Sequence, residues 1–543
     1  MRTHPRIRRA ATPLVLLVAV STASAQPLHD RIDRDIASGL KDYARTAAPV
    51  AGDAEFLRRA SLDLTGRIPT SVAARKFLAD PAADKRSKLI DDLLIAPEHA
   101  RRMQEYFDVV LMDRRPDVKV PRDAWENFLR TSFAGNKPYD QLVRDLLSAD
   151  GADPKTRSAA KFFLDRNFDP TIVTRDISRL FLGRNIQCAQ CHDHPLVADY
   201  KQDHYFGIQA FFNRAFLFPA IDAPTAVIAE KADGEVTFTS VFDKSKAQKT
   251  TAPKVPGLKT IGDPKLEKGK EYKVAPAKDV RPIPAYSRFA KLAAAVTAPD
   301  NVAFRRTAAN RLWSMMFGRG LVHPLDFDHS DNSPSHPELL TLLADEFAAN
   351  KFDINWLLRE IALSKTYQRS SEIPVGLKRV PADRLLVGPL KPLSPEQLSF
   401  SLMQATGWTD AERLALGKGL TEPALHARLA PLAAPFRTMF GTQPGEPEEG
   451  FVATLDQTLF LMHGGHVRNL IAARPGSLLD RAAKLADANA TADELFLSVL
   501  TRYPTGDERQ DVAEAIRPGT NRPAALAEVV WAMLASAEFR FNH

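Results

Sequence analysis

The chain has 543 residues, 44% hydrophobic and 26% charged, with a formal net charge of +7 and two cysteines. That length exceeds one ordinary core, so two or more domains are expected, and the apolar share is ample to fold them. Two cysteines are too few for a disulfide-stapled scaffold, which leaves packing to hold the chain together.

Residues 1–25, MRTHPRIRRAATPLVLLVAVSTASA, read as a secretory signal peptide. Arg2, Arg6, Arg8 and Arg9 make a positive start, an apolar run from Leu14 to Val20 follows, and Ala23-Ser24-Ala25 offers a small-x-small cleavage pattern. The run is shorter than the roughly 20 residues a membrane span needs, and no later stretch is long enough. The expectation is an exported protein, periplasmic or otherwise extracytoplasmic, with no membrane span once the signal is removed. Loss of the four arginines would lower the formal charge from +7 to +3.

Residues 26–216 read as a first helical domain. Segments 71–79, 84–96, 123–133 and 138–148 carry apolar residues at helical spacing, with Leu89, Ile90, Leu93 and Leu94 on one face of the second. Residues 217–285 change character. Ten lysines against five acidic residues crowd positions 243–281, and only GEVTFTSVF (234–242) alternates like a strand, with Val236, Phe238 and Ser240 on one side. The lysines read as a solvated loop. With Tyr272 the lone aromatic among them there is no stacking platform, so nucleic acid is not an expected partner.

Residues 286–543 read as a second helical domain with marked helix starts. Ser335-His336-Pro337-Glu338, Ser394-Pro395-Glu396-Gln397, Thr491-Ala492-Asp493-Glu494 and Thr505-Gly506-Asp507-Glu508 each have the spacing of a capping box. His336 is thereby a residue of a helix entrance and not a ligand, and the helix after Ser394 should stop at Gly407. LTGRIPTSVAARKFL (64–78) echoes LTRYPTGDERQDVAEAI (500–516), a shared turn-then-cap device. The expected fold class is mainly α: two helical domains joined by a small β-containing, Lys/Pro-rich insertion.

Both cysteines lie in IQCAQCHDHP (186–195). C-x-x-C-H is the attachment signature of c-type haem. Thiols one helical turn apart, Cys188 and Cys191, can each add to one vinyl group of the same porphyrin, and His192 then supplies the proximal iron ligand. That attachment is made outside the cytoplasm, where the leader would send the chain. Asp193 or a nearby backbone carbonyl is placed to accept the other imidazole proton. Two further readings stay open: zinc held by Cys188, Cys191, His194 and His204, although the gap between those histidines is longer than a zinc finger uses, and a disulfide. For a sixth iron ligand the sequence offers His204, Met103, Met112 and the run FLMHGGHVRNL with Met462, His463 and His466. An ordinary polar turn explains the last pair of histidines, and core packing the methionines.

Long stretches of the chain resemble the two paired domains of the planctomycete-type cytochrome-like family. FLRRASLDLTGRIPT (56–70), FLGRNIQCAQCHDHP (181–195) and DYKQDHYFGIQAFF (199–212) resemble the first. NRLWSMMFGRGLVHPLDFD (310–328), NSPSHPELLTLLADEF (332–347), LSKTYQRSS (363–371), PLSPEQLSFSLMQATG (392–407) and WAMLASAEFRFNH (531–543) resemble the second. The resemblance implies a role for Cys188, Cys191 and His192 alone, since both domains are otherwise of unknown function. The functional expectation is an exported c-type haem protein, one covalent haem per chain, passing single electrons to an unidentified redox partner. The alternatives are an extracytoplasmic binding or scaffold protein with zinc or a disulfide at the motif, and a polysaccharide-active hydrolase, whose carboxylate pair the sequence does not single out. No catalytic constellation stands out, so enzymatic activity is left open.

Overall fold

Helix starts in this protein depend on which group satisfies the orphan amides of the first turn. In the computed structural model, which describes residues 26–219, 225–448 and 453–543, helices dominate and the strands form only two-stranded antiparallel sheets. Residues 1–25, on which the signal-peptide expectation falls, lie outside the described residues. The mainly α expectation holds. Helices Ser71–Ala79, Lys85–Ile95, Arg122–Ala134 and Tyr139–Ser148 occupy the segments that the periodicity marks.

Two of the four capping boxes form. Ser394 Oγ accepts from the Gln397 amide while Gln397 Oε1 accepts from the Ser394 amide, and Thr505 and Glu508 do the same. The helix that starts at Pro395 ends at Ala405, and Gly407 follows with φ +74°, as the sequence suggests. An added Cβ at Gly407 would lie 2.6 Å from the Leu478 nitrogen, so glycine is needed there on both counts.

The other two boxes are corrected. The Ser335 amide, which Glu338 would have to reach, instead donates to the Leu321 carbonyl at 2.8 Å; His336 becomes the N-cap residue, with no side-chain bond to the helix. At Thr491 the helix has already begun: Asp487 caps it by accepting from the Ala490 amide, and the Thr491 hydroxyl donates back to the Asp487 carbonyl. The echo between the chain ends does correspond to one device, because Thr70 and Thr505 are both side-chain N-caps.

Two clusters of buried apolar residues organise the packing. The larger runs from Leu28 to Leu386 and takes in Leu497, so the helices before the lysine-rich stretch and those just after it share one interior. The second runs from Leu393 to Phe539 and includes Leu62 from helix Asp53–Thr65 and Ile68 just after it. That helix is therefore the beam common to both. In the intervening stretch, Val236–Phe238 pairs with Lys249–Thr251, and Val236 and Phe238 are buried while Thr237 is exposed. The strand stops at Phe238, before Ser240.

Asp63 shows how the shared helix is tied to distant parts of the chain. Fully buried, its carboxylate accepts from Tyr367 Oη at 2.7 Å and Asn542 Nδ2 at 2.7 Å and pairs with Lys391 Nζ at 2.6 Å. Replacing it by alanine strands the Lys391 ammonium in a site where burial already disfavours charge. Asp63→Ala should lower stability by roughly 3–5 kcal/mol, against about 1 kcal/mol for Thr505→Ala. Urea denaturation of the two variants beside the parent chain checks this difference.

Candidate functional site

The motif is delivered by helix Pro170–Leu182. Asp169 caps its start by accepting from the Thr171 and Ile172 amides, and Gly183 ends it with φ +67°. A Cβ on Gly183 would come within 2.7 Å of Thr307 Oγ1, so only glycine lets the next segment lie this close to helix Val302–Phe317. That segment then pairs with a loop nearly 150 residues further on: Asp328 N donates to Gly183 O, Asn185 N donates to Asp326 O, and Arg184 bridges Phe327.

Buried charges lock this junction. Arg179, one turn before the helix end, donates to Asp113 Oδ2 at 2.7 Å and to Asp326 Oδ2 at 3.4 Å, and Arg311 holds the other Asp326 oxygen at 3.3 Å. Asp176 accepts from Arg166 at 2.7 Å and from Arg175 at 2.8 Å. Burial alone would raise the Asp176 carboxyl, but Arg166, Arg179 and Arg175 outweigh it and hold the group well below the usual carboxylate range.

From this anchored end the chain turns through buried Ile186 into a 3-10 turn, Gln187–Gln190. Ala189 points inward, fully buried, while Cys188 and Cys191 flank it as exposed free thiols. His192 Nδ1 lies 2.7 Å from the Asp193 carbonyl. A carbonyl only accepts, so Nδ1 carries the proton and Nε2 of the neutral ring keeps its lone pair. Of the two acceptors suggested for that proton, it is the backbone carbonyl; the Asp193 carboxylate accepts instead from the Gln202 amide at 2.8 Å.

The surroundings are apolar yet exposed. The lysine-rich stretch returns here: Val241 N donates to Cys191 O, and the Phe242 ring packs on His192 at 4.5 Å. Phe242 is 71% exposed, Val241 66% and Leu196 82%, an unusual concentration of apolar surface beside two thiols.

The histidines proposed for zinc are engaged differently. His194 Nδ1 accepts from the Val197 and Leu196 amides, which puts the proton on Nε2 and leaves no lone pair for a cation there. His204 Nδ1 donates to the Asp199 carbonyl. Among the described residues no three His, Cys, Asp or Glu side chains converge as a metal cluster. Of the suggested sixth ligands, Met103 and Met112 are enclosed in the large core, Met112 sulfur meeting Arg166 at 3.6 Å. Met462 and His463 end helix Leu455–His463 and His466 lies in the first turn of helix Gly465–Ile471, with Gly464 alone between the two helices.

Sequence reasoning missed the second wall of the site. Ser330 N donates to Asp199 Oδ2 at 2.7 Å, and Tyr200 stands edge-on between His194 and His329 at 5.8 and 5.4 Å. The only signal for it was the acidic, histidine-bearing run LDFDHSD (325–331).

Two family models match the chain. Residues 31–216 match PSCyt2 and residues 288–427 match PSD1, each described as a protein of unknown function, DUF1549 and DUF1553 respectively. No curated protein and no solved structure matches it.

The ion-pair lock has an acid signature. A carboxyl with a depressed folded-state pKa stabilises the fold above its unfolded value, about pH 4, and that contribution drains away as pH falls below it. Stability of the parent chain should therefore drop more steeply below about pH 4 than that of Asp176→Asn, read from urea midpoints across the acid range. Arg179→Met, which leaves Asp113 and Asp326 buried without their shared cation, should cost roughly 3–5 kcal/mol at neutral pH.

Proposed function

We propose, for a chain that belongs to the family of paired PSCyt2 and PSD1 domains, that Cys188, Cys191 and His192 hold one covalent haem and that the protein passes single electrons outside the cytoplasm. The observation that carries the reading is the combination of two free, exposed thiols, one in the 3-10 turn and one capping its end, with a histidine whose Nδ1 is fixed, leaving Nε2 available. Each thiol adds across a vinyl group: an S–C bond forms, the thiol proton passes to the neighbouring carbon and nothing leaves. His192 Nε2 would ligate the iron, and the Asp193 carbonyl would hold the ring in the tautomer this needs. Bound there, haem supplies one-electron exchange at its iron.

The residues around the motif fit such a group on one side. Phe242, Val241 and Leu196 provide apolar surface against which a macrocycle can rest. Two surface cavities, one lined by Lys119, Pro121 and Arg157 and the other by Pro138, Arg144 and Phe352, include no residue of the motif. The reading is accordingly a haem set at the surface, with an edge open to a redox partner that docks over the exposed apolar residues.

A pyridine haemochrome spectrum tests the proposal on protein exported through a cytochrome c maturation system. One haem per chain is expected, with a c-type α-band that survives acid-acetone extraction and is lost in a Cys188→Ala, Cys191→Ala double variant. His192→Ala should keep the covalent band while shifting the ligand-field spectrum. A colourless protein from the same competent host, with both thiols titratable, sinks the haem reading and leaves the binding or scaffold role.

A further inference from the structure

Away from the motif, two arginines stand out by what they lack. Arg67 is 8% exposed and Arg102 6%, yet among the described residues neither guanidinium makes a hydrogen bond or an ion pair, and the Nε of each is sealed from solvent without an acceptor. Every other arginine buried to that degree among the described residues donates to a carbonyl or carboxylate, as Arg58 does to Phe539 O at 2.8 Å and Arg101 to both oxygens of Glu422. A buried guanidinium without an acceptor is costly, so a pair of them in one place calls for an explanation.

They are in one place. Arg67 follows helix Asp53–Thr65 and lies over the Phe400 ring at 5.4 Å, and Arg102 in helix Pro97–Met112 runs across Gly66 and over the Tyr106 ring at 5.7 Å. Glu105, one turn beyond Arg101 and Arg102, is the carboxyl that both unpaired arginines influence. It too has no partner among the described residues: no donor meets its carboxylate, and Oε1 is buried bare. Of the neighbouring carboxylates, Glu422 is held by Arg101 and Glu396 by Arg114, while Glu98 acts on Arg67 through space without a hydrogen bond to it. His426, tilted against Phe400 at 5.6 Å, has a buried Nδ1 without a partner among the described residues. Burial, and after it Arg101 and Arg67 close by, pushes that imidazole down to about 3.

We infer that Arg67, Arg102 and Glu105 form a binding site for a small organic anion, with the two guanidiniums taking its carboxylate, sulfate or phosphate group and Glu105 accepting from an adjacent hydroxyl. Arginine forks suit planar or tetrahedral oxyanions. Burial, then Glu396, raises the Glu105 carboxyl to about 7, so near neutral pH it can either accept from a hydroxyl or donate to an oxygen. The site draws on both family domains, Arg67 and Arg102 from residues 31–216 and Phe400 from residues 288–427. It is independent of the haem proposal.

Titration calorimetry of the full chain with inorganic phosphate, sulfate, acetate and glucuronate, at constant ionic strength set with chloride, tests this. At least one oxyanion should bind saturably, one site per chain. Arg67→Lys and Arg102→Lys, which keep the charge but lose the fork, should each weaken it about tenfold, while Arg359→Gln on a distant surface pair should not. Glu105→Gln should change the preference for glucuronate over acetate and leave phosphate or sulfate binding in place. Absence of saturable binding by any of the four at millimolar concentration overturns the inference. So does binding that both lysine variants retain at full strength, because the oxyanion would then sit elsewhere.

Discussion

A guanidinium taken out of water must be matched by carboxylates, and in this protein one such match fixes everything around the cysteine motif. Arg179 reaches from the end of its helix to Asp113 on one side and Asp326 on the other, with Arg311 completing the second pairing. The three elements so joined come from widely separated parts of the chain, and a pair of this kind is far more sensitive to losing one member than to replacement of the whole. The register of residues 183–185 against 326–328 follows from it. So does the exposed position of the thiols, because the 3-10 turn starts two residues after Asn185, the last pinned one.

The same principle recurs at Asp63, where one carboxylate gathers Tyr367, Lys391 and Asn542, and at Arg58, whose donors end on Val499 and Phe539 carbonyls. Helix Asp53–Thr65 thus carries charged groups buried as deeply as its leucines. Polar groups in such numbers specify partners more narrowly than apolar packing does. They tie the first domain's helix to the last residues of the chain, and they make the two family domains parts of one folded object.

What the sequence discloses and what it hides divides along the range of the interactions. Local rules transfer well: the boxes at Ser394 and Thr505 form, the turn at Gly407 falls where glycine permits it, and the alternation of Val236 and Phe238 is real. The boxes at Ser335 and Thr491 fail, the first because a distant carbonyl, Leu321 O, takes the amide that the local device needs and the second because Asp487 four residues earlier is a better placed cap. At the motif, the residue types and spacing are legible in ten letters, and so is the need for a proton acceptor behind His192. The Phe242 ring on His192 and the Asp326–Ser330 wall are not, since each depends on a contact between segments some 50 to 140 residues apart that no periodicity announces. The unmatched pair Arg67 and Arg102 is likewise invisible in sequence, where any arginine reads as a surface residue.

The pairing of residues 183–185 with 326–328 also has a temporal side. A chain that emerges from its N-terminus presents the two thiols about 140 residues before the strand of contacts that clamps them is available. Closing so long a loop is slow compared with local helix formation. The segment around Cys188 and Cys191 therefore stays pliable through much of synthesis, and becomes a fixed surface feature only when the second domain docks. Chemistry that needs a bendable substrate has its interval then, and recognition that needs a rigid one has its interval afterwards.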